Sequence, residues 1–121
     1  TVLHALDMKP TADMRGLNLL DQEAINARKF IYGEIFLHNA VDTLDPGKNL
    51  TYRWGIEGGW KLILPHNENV TTRAAKGAKG DGAIELYHLA KDPHETKNLA
   101  KQNPAKVAHL RKLINAEWDG K

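Results

Sequence analysis

The chain reads as an α+β domain, an antiparallel sheet of about four strands with a C-terminal amphipathic helix packed on one face. Three observations predict it. Aliphatic and aromatic side chains alternate with a period of two at 29–38, 52–64 and 84–89, the spacing of a pleated strand. A Gly58-Gly59 pair interrupts the middle run, as a hairpin turn does. Val107, Leu110, Leu113, Ile114 and Trp118 recur at helical spacing behind Asn103-Pro104, which suits a cap and a first helical residue.

Taken in order, Thr1 to Leu6 reads as the end of a helix from a preceding domain. Met8 to Gln22, with Pro10, Gly16 and the cluster Leu17, Leu19 and Leu20, reads as a linker that packs locally. Gln22 to Ala27 makes a turn or two of helix. Lys29 to His38 puts Phe30, Tyr32, Glu34, Phe36 and His38 on one side of a strand, and Ile31, Gly33, Ile35 and Leu37 on the other. Both sides are largely apolar, so both are expected to be covered, one by the final helix and the other by a neighbouring domain. Asn39 to Asn49 is a loop turning at Asp45-Pro46-Gly47.

The hairpin has two possible registers. A Gly58-Gly59 loop sets Glu57 opposite Trp60 and sends Tyr52, Trp54 and Ile56 to the face away from Trp60, Leu62 and Leu64. A three-residue loop of Glu57-Gly58-Gly59 collects all six on one face, and we expect this second register on the hydrophobic pattern, with Arg53 and Lys61 on the opposite face. Asn67 to Gly82, rich in small residues with a basic middle, reads as a mobile loop. Ile84 to Leu89 is the last strand, the helix follows from Asn103-Pro104, and Gly120 stops it.

Composition narrows the chemistry. A chain of 121 residues makes one compact domain with a real core. There is no cysteine, hence no disulfide, thiolate metal site or cysteine nucleophile. A formal net charge of +2 with interspersed signs gives no reason to expect a nucleic-acid partner. No apolar run approaches the roughly 18–20 residues of a membrane span.

The stretch Glu85 to Ala100 carries the most specific pattern. Asp92-Pro93 ends the strand, Asp92 can accept from the amides of a following turn, and Glu95 stands at capping-box spacing, so one capped helical turn is expected there. Asn98-Leu99-Ala100 then returns an apolar side chain to the core. The run Glu85-Leu86-Tyr87-His88-Leu89, a two-residue spacer, then Asp92-Pro93-His94-Glu95 and Asn98-Leu99-Ala100 resembles the C-terminal subdomain of the sulfatases, the arylsulfatase-like sulfuric-ester hydrolases. Met14 to Leu20 resembles the loop leaving that family's catalytic domain, Arg28 to His38 its first C-terminal strand, and Tyr52-Arg53-Trp54 with Trp60-Lys61-Leu62-Ile63 its central hairpin.

The resemblance implies a division at 1–27, linker and end of a catalytic domain, and 28–121, the C-terminal subdomain. It implies a larger enzyme hydrolysing sulfate esters, with carbohydrate esters as the expected class and a periplasmic or secreted address. That enzyme would use a divalent cation (Ca or Mg) and a formylglycine made from a Cys or Ser in a Cys/Ser-x-Pro-x-Arg segment. Neither that segment nor a cluster of Asp and Asn ligands is in this sequence. The chain alone is therefore expected to be inactive, completing the fold and shaping one wall of the substrate cleft beside the N-terminal catalytic domain.

Three residues are candidates for substrate binding. His38 ends the first strand at the side of the sheet that the resemblance places near the cleft; the alternative is a strand-end histidine facing solvent. Arg53 and Lys61 suit an oxyanion such as sulfate, the alternative being a solvated face or a domain contact. Glu34 on the face of His38 is either its acid–base partner or the ion-pair partner of an arginine on the next strand. No two of the six histidines have metal-ligand spacing. Gly77-Ala78-Lys79-Gly80-Asp81-Gly82 lacks the P-loop spacing, and Asn49-Leu50-Thr51 and Asn69-Val70-Thr71 match the glycosylation triplet only as chance triplets do. The competing reading is a free-standing module that binds an anion or a glycan.

Overall fold

In the computed structural model, residues 1–38, 40–66 and 83–118 are described. The elements are α1 (Val2–Ala5), α2 (Gln22–Ala27), β1 (Phe30–Phe36), a 3₁₀ turn (Pro46–Asn49), β2 (Leu50–Glu57), β3 (Trp60–Pro65), β4 (Glu85–His88) and α3 (Pro104–Glu117). The four strands pair antiparallel in sequence order, β1-β2-β3-β4, and α3 packs across β2 and β3. This is the α+β architecture the alternation predicts. α2 begins at Asp21, whose carboxylate accepts from Ala24 N at 2.9 Å, the cap that lets so short a helix start.

The hairpin corrects the expected register. Glu57 pairs with Trp60, Gly55 with Leu62 and Arg53 with Leu64, so the loop is Gly58-Gly59 alone. Both glycines have positive φ, +57° and +78°, which a two-residue turn needs to match the twist of its strands. Because directly paired residues share a face, Trp60, Leu62 and Leu64 lie with Arg53, Gly55 and Glu57, while Tyr52, Trp54 and Ile56 lie with Lys61, Ile63 and Pro65. Hydrophobic pattern could not decide this, since apolar side chains occupy both faces.

The core lies between the sheet and α3. Leu62, Leu64, Leu86, Leu110 and Ile114 are buried there, with Phe30, Tyr32, Trp60, Val107 and Leu113 packed around them. Gly55 makes room for this contact: a Cβ on it would stand 2.5 Å from Phe30 Cζ and 2.9 Å from Ile114 Cγ1. Trp118 stands just past the end of α3 rather than in its stripe, and its ring stacks on Phe36 with centroids 6.3 Å apart. Asn103 occupies the N-cap position, but its amide donates back to Leu99 O at 3.1 Å instead of capping α3.

The segment after β4 differs from the expected capped turn. Asp92 does accept from Lys97 N at 2.9 Å and from Thr96 Oγ1 at 3.0 Å. Glu95, however, has φ +54° and makes no capping box; its carboxylate goes to Lys61. Asn98 binds β4 from the side, its Nδ2 donating to Ile84 O at 3.0 Å and its Oδ1 accepting from Leu86 N at 3.1 Å, and Leu99 N donates to Leu86 O at 2.8 Å. The edge of β4 is thus closed by its own downstream chain. The stretch 67–82 expected to be mobile, and Gly120, lie outside the described residues.

Candidate functional site

The three candidate side chains do not converge. Arg53 lies on the α3 face, 8% exposed, with Nη1 donating to Asn115 Oδ1 at 3.1 Å and to Trp118 O at 2.6 Å. A guanidinium here meets the carbonyl end of α3, where positive charge is favoured. Lys61 lies on the other face: Nζ stands 2.8 and 3.0 Å from the two Glu95 carboxylate oxygens and 5.9 Å from the Trp54 ring centroid. The expectation that Arg53 and Lys61 share one face fails with the register that produced it.

Glu34 sits directly opposite Arg53 in the β1–β2 ladder, yet it accepts a hydrogen bond from the Tyr32 hydroxyl rather than joining Arg53 in an ion pair. Burial first, and Glu34 second, hold the Tyr32 phenol protonated far above the ordinary range, so it serves as a donor and not as a base. His38 is exposed beyond the end of β1. The loop after it is organised around Asn49, which is buried: Oδ1 accepts from Val41 N at 2.5 Å and Asp42 N at 3.1 Å, and Nδ2 donates to Asp42 O. Asp42 in turn accepts from Leu44 N and Asp45 N and pairs with Lys48 at 2.9 Å. These bonds hold the Asp42 carboxyl below its usual range, Lys48 being the largest cause. His38 therefore adjoins a loop that is built, not loose.

The side chains the sequence reading missed are Arg111 and Asn115. They stand one turn apart on α3 and, with Arg53, Leu64, Pro65 and Ile84, line a cavity of about 250 Å³. The Gly58-Gly59 pair was the signal that could have found them, because the two-residue turn puts Arg53 under α3. Among the described residues no three His, Cys, Asp or Glu side chains come together as metal ligands, and no helix is long and apolar enough to cross a membrane.

No family model and no curated protein matches the chain. Solved structures do. One, BT33336S-sulf, described under the metabolism of multiple glycosaminoglycans by Bacteroides thetaiotaomicron, aligns over 95% of this chain at 22% identity and a TM-score of 0.61. A second, BT4656 in complex with its substrate D-glucosamine-2-N,6-O-disulfate, aligns over 98% at 16% identity and the same TM-score of 0.61. The shared property is the fold. In each case this chain spans only 22% of the other's length. The first neighbour carries "sulf" in its name and the second is described with a disulfated glucosamine as its substrate; their shared fold is in keeping with the resemblance carried by Glu85 to Ala100.

Proposed function

We propose that this chain is the C-terminal lobe of a sulfatase acting on sulfated carbohydrates, where it completes the fold and forms one wall of the substrate cleft. The observation that carries this reading is the pairing of a whole-chain structural match, covering 95% and 98% of these residues, with a share of only 22% in each larger neighbour. The Asn98 clasp on β4 supports it, since it gives the Asn-Leu-Ala of the family-like motif a concrete structural task. So do the exposed apolar side chains of the N-terminal stretch, Val2, Leu6, Leu19 and Leu20, which suit a surface that another domain covers.

In this reading the catalytic domain of the same polypeptide supplies the reaction through formylglycine and a divalent cation (Ca or Mg). The donor set of this chain does not fit such a centre, having no cysteine and no gathered carboxylates among the described residues. Its own contribution is positional: His38, exposed beside the Asn49-ordered loop, is offered to the substrate. Arg53 and Lys61, each engaged with protein groups, keep only a supporting part in the cleft wall. A periplasmic or secreted address goes with the reading. The test compares sulfate release from sulfated mono- and disaccharides by the 121-residue chain and by the whole polypeptide its gene encodes. We expect release only by the whole polypeptide, lost when the Cys or Ser of its Cys/Ser-x-Pro-x-Arg segment is replaced. Release by the chain alone, or a gene lacking that segment, overturns it.

A further inference from the structure

We infer that the cavity between the end of β3 and the last turns of α3 is a binding site for a compact oxyanion, a sulfate or phosphate group, held by Arg53 and Arg111. Arg53, Arg111 and Asn115 line it together with Leu64, Pro65 and Ile84, and among the described residues no carboxylate side chain is in the lining. Arg111 is exposed and makes no ion pair with any described residue. Two like charges beside apolar walls in one recess, with no described acid in its lining, attract an anion more strongly than either would in open water.

Arg53 is prepared for that task. Both of its hydrogen bonds leave from Nη1, so the plane of the guanidinium is fixed before any ligand arrives. Among the described residues buried Nε has no hydrogen-bond partner, and no hydrogen bond leaves Nη2. The Nε–Nη2 edge, which can take two oxygens of a carboxylate, sulfate or phosphate, is occupied by no described residue, and an anion reaches Nε only as the wall that seals it gives way. Glu34, the acid placed to neutralise it across the ladder, is turned to the Tyr32 hydroxyl instead. Asn115 accepts from Arg53 through Oδ1, which leaves its amide N–H groups as further donors. At about 250 Å³ the cavity is smaller than the roughly 300–1,000 Å³ that drug-sized ligands occupy, so it fits an ion or the sulfate of one sugar ring.

This inference stands apart from the sulfatase reading, because an anion site here holds in a free-standing module equally well. The test is calorimetric titration of the 121-residue chain with sodium sulfate, sodium phosphate and a sulfated monosaccharide, against sodium chloride at equal ionic strength. We expect saturable binding of the oxyanions beyond the chloride response. Arg111→Ala should weaken it roughly tenfold and Arg111→Glu abolish it, with circular dichroism unchanged because the side chain is exposed. Lys112→Ala, one residue away and outside the cavity lining, should bind as the parent does. Tighter binding of the monosaccharide than of free sulfate assigns the site to a sugar-borne group, and the reverse order assigns it to the free ion. A sulfate response equal to that of chloride, unaltered binding in Arg111→Glu, or an equal loss in Lys112→Ala sinks the proposal.

Discussion

Gly55 shows how a single missing methyl group sets the distance between sheet and helix. A Cβ there would sit 2.5 Å from the Phe30 ring and 2.9 Å from Ile114, both of them packed in or against the core. Gly55→Ala should therefore cost about 1–3 kcal/mol through overpacking, visible as a lower Tm with secondary structure retained. Asp92 makes a different prediction. Its bonds from Thr96 and Lys97 hold its carboxyl below the ordinary range in the folded chain, so the unfolded chain binds the proton first as pH falls. The stabilisation is whole above the ordinary carboxylate pKa and fades below about pH 4. Asp92→Asn should show a shallower fall of Tm between about pH 4 and pH 2 than the parent chain. The acceptor role of Asp92 could be read from its place before Pro93. The left-handed backbone of Glu95 could not, because the Lys61 side chain that claims its carboxylate arrives from a distant strand.

Among the elements, the β2–β3 turn decides the most. Gly58 and Gly59 both have positive φ with open space around a would-be Cβ, so conformation and not crowding restricts them. Asn tolerates that region and Val does not. Gly58→Asn should leave the midpoint of urea unfolding unchanged or raise it slightly, whereas Gly59→Val should lower stability by about 1–2 kcal/mol. The strands and α3 were legible in the sequence because their apolar periodicity is regular over many residues. The pairing of β2 with β3 was not, since Tyr52, Trp54 and Ile56 are as apolar as the residues that face α3, and hydrophobicity could not discriminate two faces that both carry it. The turn chemistry held the answer. That one-residue slip is also what separated Arg53 from Lys61 and hid Arg111 and Asn115.

For the whole molecule, a sheet with α3 on one side leaves Ile31 and Ile35 of β1 half exposed on the other, and apolar side chains of the N-terminal stretch are exposed as well. In the proposed sulfatase, His38 should matter to substrate and not to folding, since it is exposed. His38→Ala in the whole polypeptide should raise KM about tenfold with little change in Tm, the loss of one hydrogen bond to a charged group. An unchanged KM would remove His38 from the cleft. The general α+β plan was readable because local periodicity and one helix suffice to specify it. The site was not, because the cavity forms only where β2, β3 and α3 meet, at sequence separations that no local pattern encodes.

The clasp of Asn98 and Leu99 on β4 makes the two rims of the sheet unequal. One rim has the Leu86 amide and carbonyl tied to the chain that follows, while β1, at the opposite rim, has neighbours only in β2 among the described residues. Solvent deuterium should discriminate between them: the Leu86 and Leu99 amides exchange only when that clasp opens, and the outward-pointing amides of β1 exchange at rates close to those of an unstructured peptide.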